Sequence, residues 1–344
     1  MLESFSTNAT AAKIRSVYGS MLGRDDYMEL MSKRSVAEVA DYLSRTPRYA
    51  PAFRDVDPNT VHRGFLENRL NKYCYDTYLR MVSFQGLAEA PFYGYFTEKL
   101  RIRQILSLIN AVECGLNDSF VNSAQNYVFA GTKRDVISLA KCRSFDELTE
   151  ALKGTPYYKI LKTVKRTPGG GADITDAEIK LRTDYYGKLM ASVRENFIGS
   201  AQGELTAVIT GEIDMINLIN SYRMKRYFNY TPEQIKSSVL PFTHIGRRTM
   251  ERIYEAEDSE TMLALIRRTY YAKRIPEGVT DIETGLSRHE LRYMRRRINR
   301  SGSSAVVLYA FMFICEAELK NIVRIIEGVR YDIDPAIIED ILIL

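Results

Sequence analysis

The sequence predicts an all-α fold built from repeated helical units. Three observations carry that prediction. Apolar residues recur four apart behind helix-capping residues, one such pattern occurs three times along the chain, and no alternating strands joined by Asn-Gly or Asp-Gly turns are found.

The first copy of the pattern runs Gly23, Asp26, Leu30, Ser35, Val39, Leu43, Thr46. The second runs Gly131, Asp135, Leu139, Ser144, Leu148, Leu152, Thr155. The third runs Gly246, Thr249, Ile253, Asp258, Met262, Ile266, Thr269. From the Asp or Thr position onward the offsets are 4, 9, 13, 17 and 20 in every copy, and the copies start 109 and 114 residues apart. Ser35 with Glu38, and Ser144 with Glu147, read as capping boxes that satisfy free amides of a first turn. Asp258 can cap alone. The apolar positions that follow share one helix face. Thr46-Pro47 and Thr155-Pro156 predict helix ends, because proline disfavours helical geometry in the residue before it. Thr269-Tyr270 gives the third copy a weaker stop.

Two further helix types recur around this one. The first places glutamate ahead of a tyrosine-rich stretch: Glu67, Leu70 and Tyr73, then Glu178, Leu181 and Asp184-Tyr185-Tyr186, with a degenerate third version beginning near Glu290. Thr175 to Glu178 and Ser287 to Glu290 read as capping boxes here. The second type starts an amphipathic run with an acid, at Glu98, Asp214 and Glu318. Its last copy has no following unit of its own, which leaves it to pack back on another unit and close the arrangement. Loops are expected at Arg54 to Pro58, Gln85 to Pro91, Arg166 to Asp173, Pro276 to Gly285 and Ser301 to Ser304, with Pro168 to Ala172 a mobile tip. The expected division is residues 1–88, 89–199 and 200–301 as three helical repeats, then 302–344 as a closing helix.

Composition bounds the function. A chain of 344 residues exceeds one core, and 45% apolar with 26% charged residues argues against long disorder. The net charge of +5 does not by itself indicate a nucleic-acid binder. Cys74, Cys114, Cys142 and Cys315 match no zinc spacing and read as buried reduced thiols of a cytosolic protein. Met1 to Thr10 has no apolar core of the kind a signal peptide needs. The longest apolar run, Ala305 to Cys315, falls short of the ~20 residues a membrane helix requires. A soluble protein is expected, with any membrane contact made through partners.

No catalytic constellation is visible. His62, His244 and His289 lie far apart, and no HExxH, GxSxG or Walker A pattern occurs. No catalytic, cofactor-binding or metal-ligating residue is assigned, and a non-catalytic protein is expected. One constellation stands out. Arg288, Arg292, Arg295, Arg296, Arg297 and Arg300 crowd one short stretch, and 288, 292, 295 and 296 share a helix face. A solvated basic face, docking to an acidic protein surface, or nucleic-acid contact would each use it. Arg223, Lys225 and Arg226, followed by Tyr227 and Phe228, read either as interface anchors or as local packing.

Several of these stretches together resemble a known family. Lys13 to Val17 with Gly23-Arg-Asp-Asp-Tyr27, Leu43 to Pro47, Asp146 to Tyr157, Asp184-Tyr-Tyr186 and the Asp214 and Glu318 helices are similar to the C subunit of bacterial and archaeal V-type ATP synthases, related to the d subunit of the eukaryotic V-ATPase. The likeness spans essentially the whole chain. It implies three similar helical domains in a pseudo-threefold funnel. It also implies a non-catalytic rotor connector that links the central stalk, formed by the D and F subunits, to the proteolipid rotor ring of the membrane. Torque would pass through it during proton or sodium transport. Cofactors and nucleic acid are not implied, and the location would be cytoplasmic and peripheral to the membrane. Arg223, Lys225, Arg226, Arg288, Arg292, Arg295 and Arg296 are the candidate partner-binding residues. A generic helical-repeat scaffold is the alternative.

Overall fold

Several helices begin where a side chain accepts hydrogen bonds from first-turn amides, which otherwise have no partner. The computed structural model describes residues 2–57, 61–84, 90–130, 135–273, 275 and 281–344. The described residues form seventeen α-helices and no strand. The first four are α1 (Leu2–Tyr18), α2 (Arg24–Met31), α3 (Val36–Arg45) and α4 (Arg63–Phe84). Next come α5 (Tyr95–Cys114), α6 (Asn117–Ser123), α7 (Val136–Leu139), α8 (Phe145–Ala151), α9 (Pro156–Leu161) and α10 (Ile174–Asn196). Then follow α11 (Gly199–Phe228), α12 (Pro232–Ser237), α13 (Arg247–Tyr254), α14 (Ser259–Arg267), α15 (Ile282–Arg300), α16 (Ser304–Arg330) and α17 (Pro335–Ile341).

The chain divides into two compact units. The first comprises Met1–Ala88, Phe197–Ile235 and Thr243–Leu344; the second comprises Glu89–Asn196 and Lys236–Phe242.

The repeated pattern becomes the same local structure three times: a short helix, a capped second helix and a threonine stop. Ser35 Oγ accepts from the Glu38 amide at 3.1 Å, Ser144 Oγ from Glu147 at 3.2 Å, and Asp258 Oδ1 from Thr261 at 2.7 Å. Glu38 and Glu147 reach one residue further back than a capping box requires, accepting from the amides of Arg34 (3.0 Å) and Arg143 (2.8 Å). Leu30, Val39, Leu43, Leu139, Leu148, Leu152, Ile253, Met262 and Ile266 are all buried. Each copy ends alike. The hydroxyls of Thr46, Thr155 and Thr269 donate to the carbonyls of Leu43, Leu152 and Ile266 at 2.8, 2.6 and 2.7 Å.

Some expectations need correction. α15 starts behind Asp281, whose carboxylate accepts from the amides of Glu283 (3.0 Å) and Thr284 (3.3 Å). α10 starts behind Asp173, which accepts from the Asp176 amide at 3.0 Å. Ser287 to Glu290 and Thr175 to Glu178 therefore lie inside helices, as do Ile282 to Gly285. An ionised acceptor further upstream suits the positive helix end better than a hydroxyl. α8 ends at Ala151, ahead of Thr155, and Pro156 instead opens α9, where its missing amide costs nothing. The glycine tip is a turn closed by an isolated antiparallel bridge between Arg166 and Ala172 and by the Thr167 amide donating to Gly171 at 2.8 Å. Cys74 and Cys315 are buried, but Cys142 is half-buried and Cys114 exposed. Pro58, residues 85–89 and 276–280 of the expected loops, and Gly131, lie outside the described residues.

α16 organises the first unit. Its long apolar sequence is buried on nearly every face, and it packs against α1, α2, α3, α4, α11, α15 and α17. After α15 the chain turns through Ser301–Ser303, so that α16 packs back along it. α17 sits on Gly328, where an added Cβ would come within 2.2 Å of Ile338 Cδ1. Gly328→Ala should therefore displace α17 and cost about 1–3 kcal/mol. Hydrogen exchange of Ile338 and its neighbours checks this, and unchanged protection there would show that the contact yields without strain.

Candidate partner interface

α5, α11 and α16 each carry an acid at the repeated position, Glu98, Asp214 and Glu318, and each of these acids accepts a hydrogen bond from a tyrosine that follows the short-helix motif. In the second unit Tyr157 donates to Glu98 at 2.8 Å. In the first unit Tyr271 donates to Asp214 at 2.8 Å and Tyr49 to Glu318 at 2.7 Å. Burial pushes all three phenols up, and the facing carboxylate adds to the effect, so each hydroxyl stays a donor. Asp214 also accepts from the amides of His244 (3.1 Å) and Ile245 (3.0 Å). Glu318 accepts from the Leu22 amide (2.8 Å) and from Arg48 Nε (3.2 Å), with both side chains of that ion pair 2% exposed. Glu98 is 35% exposed.

The three pairs differ in their order along the chain. Glu98 and Asp214 hold the motif that follows them, 59 and 57 residues downstream, whereas Glu318 holds a motif 269 residues upstream. α16 thus completes the module that begins the chain. The acids are fasteners of the scaffold, not reacting groups. Sequence reasoning missed Tyr49, Tyr157 and Tyr271. Their signal was present: each stands two or three residues after the threonine that ends its motif.

A further acid lies in the first unit. Glu290 of α15 is buried against Gly211 of α11. Burial, together with the nearby carboxylates of Glu212 and Asp214, pushes its carboxyl up to about 8. Tyr309 of α16 donates to Glu212.

The arginines of α15 separate by role. Arg288 is committed within the chain: its Nε donates to the Leu342 carbonyl at 2.9 Å, and Nη2 to those of Asp340 and Glu339 at 3.1 and 3.2 Å. These are carbonyls at the C-terminal end of α17, which a cation suits. Arg297 lies 3.6 Å from Glu204. Arg292, Arg296 and Arg300 are exposed and Arg295 half-buried, and none of these four makes an ion pair among the described residues. Arg295 also borders an open groove of about 650 Å³ whose rim holds Arg24, Arg288, Glu339 and Asp340. Arg24 and Glu339 pair across it at 2.8 Å.

The second basic group is at the end of α11. Arg223 clasps Glu283 of α15 with both arms of its guanidinium. Arg226 Nη1 donates to Tyr222 at 2.9 Å and lies over the rings of Tyr222 and Tyr227. Lys225 is half-buried. Tyr227 and Phe228 are 67% and 68% exposed, an unusual presentation of two large rings. The chemistry available at both places is donation to carboxylates, with ring faces to add contact area.

A family profile described as ATP synthase (C/AC39) subunit matches residues 10–341. The chain belongs to that family. Several relatives match most of its length. The C subunit of the A-type ATP synthase of Methanococcoides burtonii is 23% identical over 97% of this chain and 93% of its own. Its counterparts in Methanosphaera stadtmanae (26% identical, 90% and 80%) and Pyrococcus abyssi (23% identical, 69% and 66%) are similar as well. This C/AC39 protein has an all-helical fold among the described residues, and no described helix is long and apolar enough to cross a membrane.

Proposed function

We propose that this member of the C/AC39 family is the non-catalytic rotor connector of an A/V-type ATP synthase or ATPase. It would join the central stalk, formed by the D and F subunits, to the proteolipid ring, and pass torque between them on the cytoplasmic side. Family membership across almost the whole chain carries this reading. The scaffold supports it. A torque-bearing adaptor needs units that resist shear, and here each acid–tyrosine pair pins a motif to a long helix. The three recurring modules fit a pseudo-threefold funnel, with residues 1–88, 89–199 and 200–301 as its repeats and 302–344 as its closing segment.

The uncompensated guanidiniums of Arg292, Arg295 and Arg296 are the proposed contact for an acidic face of the stalk. Arg226, Tyr227 and Phe228 form a second contact. Arg288 and Arg223 would hold these surfaces in place from within. Crosslinking and mass spectrometry of the native complex test the assignment, with links from this chain to D, F and the ring expected. A chain that purifies free of every rotor component would overturn it. Substituting Arg292, Arg295 and Arg296 together with glutamate should weaken stalk binding by tenfold or more, about 1.4 kcal/mol, with the helical circular dichroism unchanged. Undiminished binding would remove this face from the interface.

A further inference from the structure

The end of the chain is gripped by its main chain. Every backbone carbonyl from Glu339 to Ile343 accepts from a side chain of α15 or α16. Arg288 Nη2 serves Glu339 (3.2 Å) and Asp340 (3.1 Å), and its Nε serves Leu342 (2.9 Å). Arg324 serves Ile341. Asn321 donates to the Ile343 carbonyl at 2.8 Å and accepts from the Ile343 amide at 2.8 Å. Carbonyls are common to all residues, so this grip holds a helix end whatever its sequence.

The two guanidiniums are spent on neutral acceptors. Neither Arg288 nor Arg324 makes an ion pair among the described residues. A carboxylate would engage such a fork with two parallel bonds. The gripped segment is thinly attached otherwise. Ile338, Leu342 and Ile343 are buried, whereas Ile333, Ile337 and Ile341 are exposed. The segment also brings acids to a basic opening: Glu339 and Asp340 share the rim of the 650 Å³ groove with Arg24, Arg288 and Arg295. The chain thus fills, with its own acidic helix end, a place whose charges suit one.

We propose that α17 and residues 342–344 form an autoinhibitory strap, displaced when an acidic helix end of a partner takes the same groove. Displacement frees Arg288 and Arg324, which then join Arg295 and its neighbours in holding the carboxylates of the partner. While closed, the strap keeps part of the arginine face out of use. This rests on the reading of α15 as a docking face.

A reversible lock tests it. A Cβ added at Gly328 would stand 3.8 Å from that of Ile338, and disulfides span about 3.8 Å between Cβ atoms. The full-length chain carrying Gly328→Cys and Ile338→Cys, with Cys114→Ser and Cys142→Ser, is therefore fastened when oxidised and released when reduced. Fluorescent poly-L-glutamate serves as the acidic partner. The reduced form should bind it about tenfold more tightly than the oxidised form. Adding Arg288→Ala and Arg324→Ala should abolish that difference. In the native sequence, saturating peptide should speed hydrogen exchange at residues 338–343. Equal affinity of the two redox forms, a difference that survives loss of both arginines, or unchanged exchange at 338–343 would each refute the strap. Replacing Arg292, Arg295 and Arg296 with glutamate separates the two readings. If that leaves peptide binding intact while oxidation still weakens it, the docking face is lost and the strap stands.

Discussion

Glu318→Ala should destabilise the first unit by about 3–5 kcal/mol, the cost of breaking a buried ion pair from one side. The substitution strands the Arg48 guanidinium in the core and removes the acceptor of the Tyr49 hydroxyl and of the Leu22 amide. Each orphaned donor then carries its own desolvation cost. The equivalent change in the second unit, Glu98→Ala, should cost only about 1 kcal/mol, because that acid is partly solvated and water can replace it beside Tyr157. Urea unfolding of the two variants checks the contrast. Equal losses would mean that burial does not separate the two positions, and that the Arg48 contact contributes nothing.

Glu290→Gln should make the protein more stable at pH 8 than the native sequence, by about 4 kcal/mol, with the difference vanishing toward pH 4.5. Folded Glu290 holds its proton up to about pH 8, while the unfolded side chain releases it near 4.5. Between those values the folded state binds the extra proton. The stability it contributes is therefore complete below 4.5 and is lost as pH rises through 8. Burial sets this first, and the carboxylates of Glu212 and Asp214 on α11 add to it. Glutamine keeps the shape and removes the ionisation. Denaturation of both forms from pH 4.5 to 8.5 gives the answer, and a difference that does not change with pH would show that the Glu290 carboxyl is not protonated in the fold.

The motif core was fully legible in the sequence. Apolar residues four apart behind Ser35, Ser144 and Asp258 are locally determined, and all nine predicted positions are buried. Helix starts were less legible where two caps compete. Asp173 and Asp281 displace Thr175 and Ser287, since a charged acceptor upstream wins over a neutral one downstream. Glu290, which reads as a capping-box residue, and Glu318, which reads as the acid opening an amphipathic run, are core groups, because their burial depends on which helix packs above them. Pairings between residues far apart in the chain leave no local trace: nothing adjacent to Arg288 announces the carbonyls of α17, 54 residues on at Leu342, and nothing adjacent to Glu318 announces Tyr49, 269 residues back. The arginine cluster was visible as composition, while the split between committed and uncommitted guanidiniums was not.

The clasp between Glu318 and Tyr49 also sets a schedule for synthesis. A nascent chain emerges at roughly 5–20 residues each second and folds from its beginning where it can. Leu30, Val39 and Leu43 leave the ribosome early, yet the helix that covers them carries its clasp 269 residues further on. For tens of seconds the opening segment must wait with its greasy side uncovered, a period in which chaperones have something to hold. The second unit, whose own acid precedes its tyrosine by 59 residues, can finish during that wait.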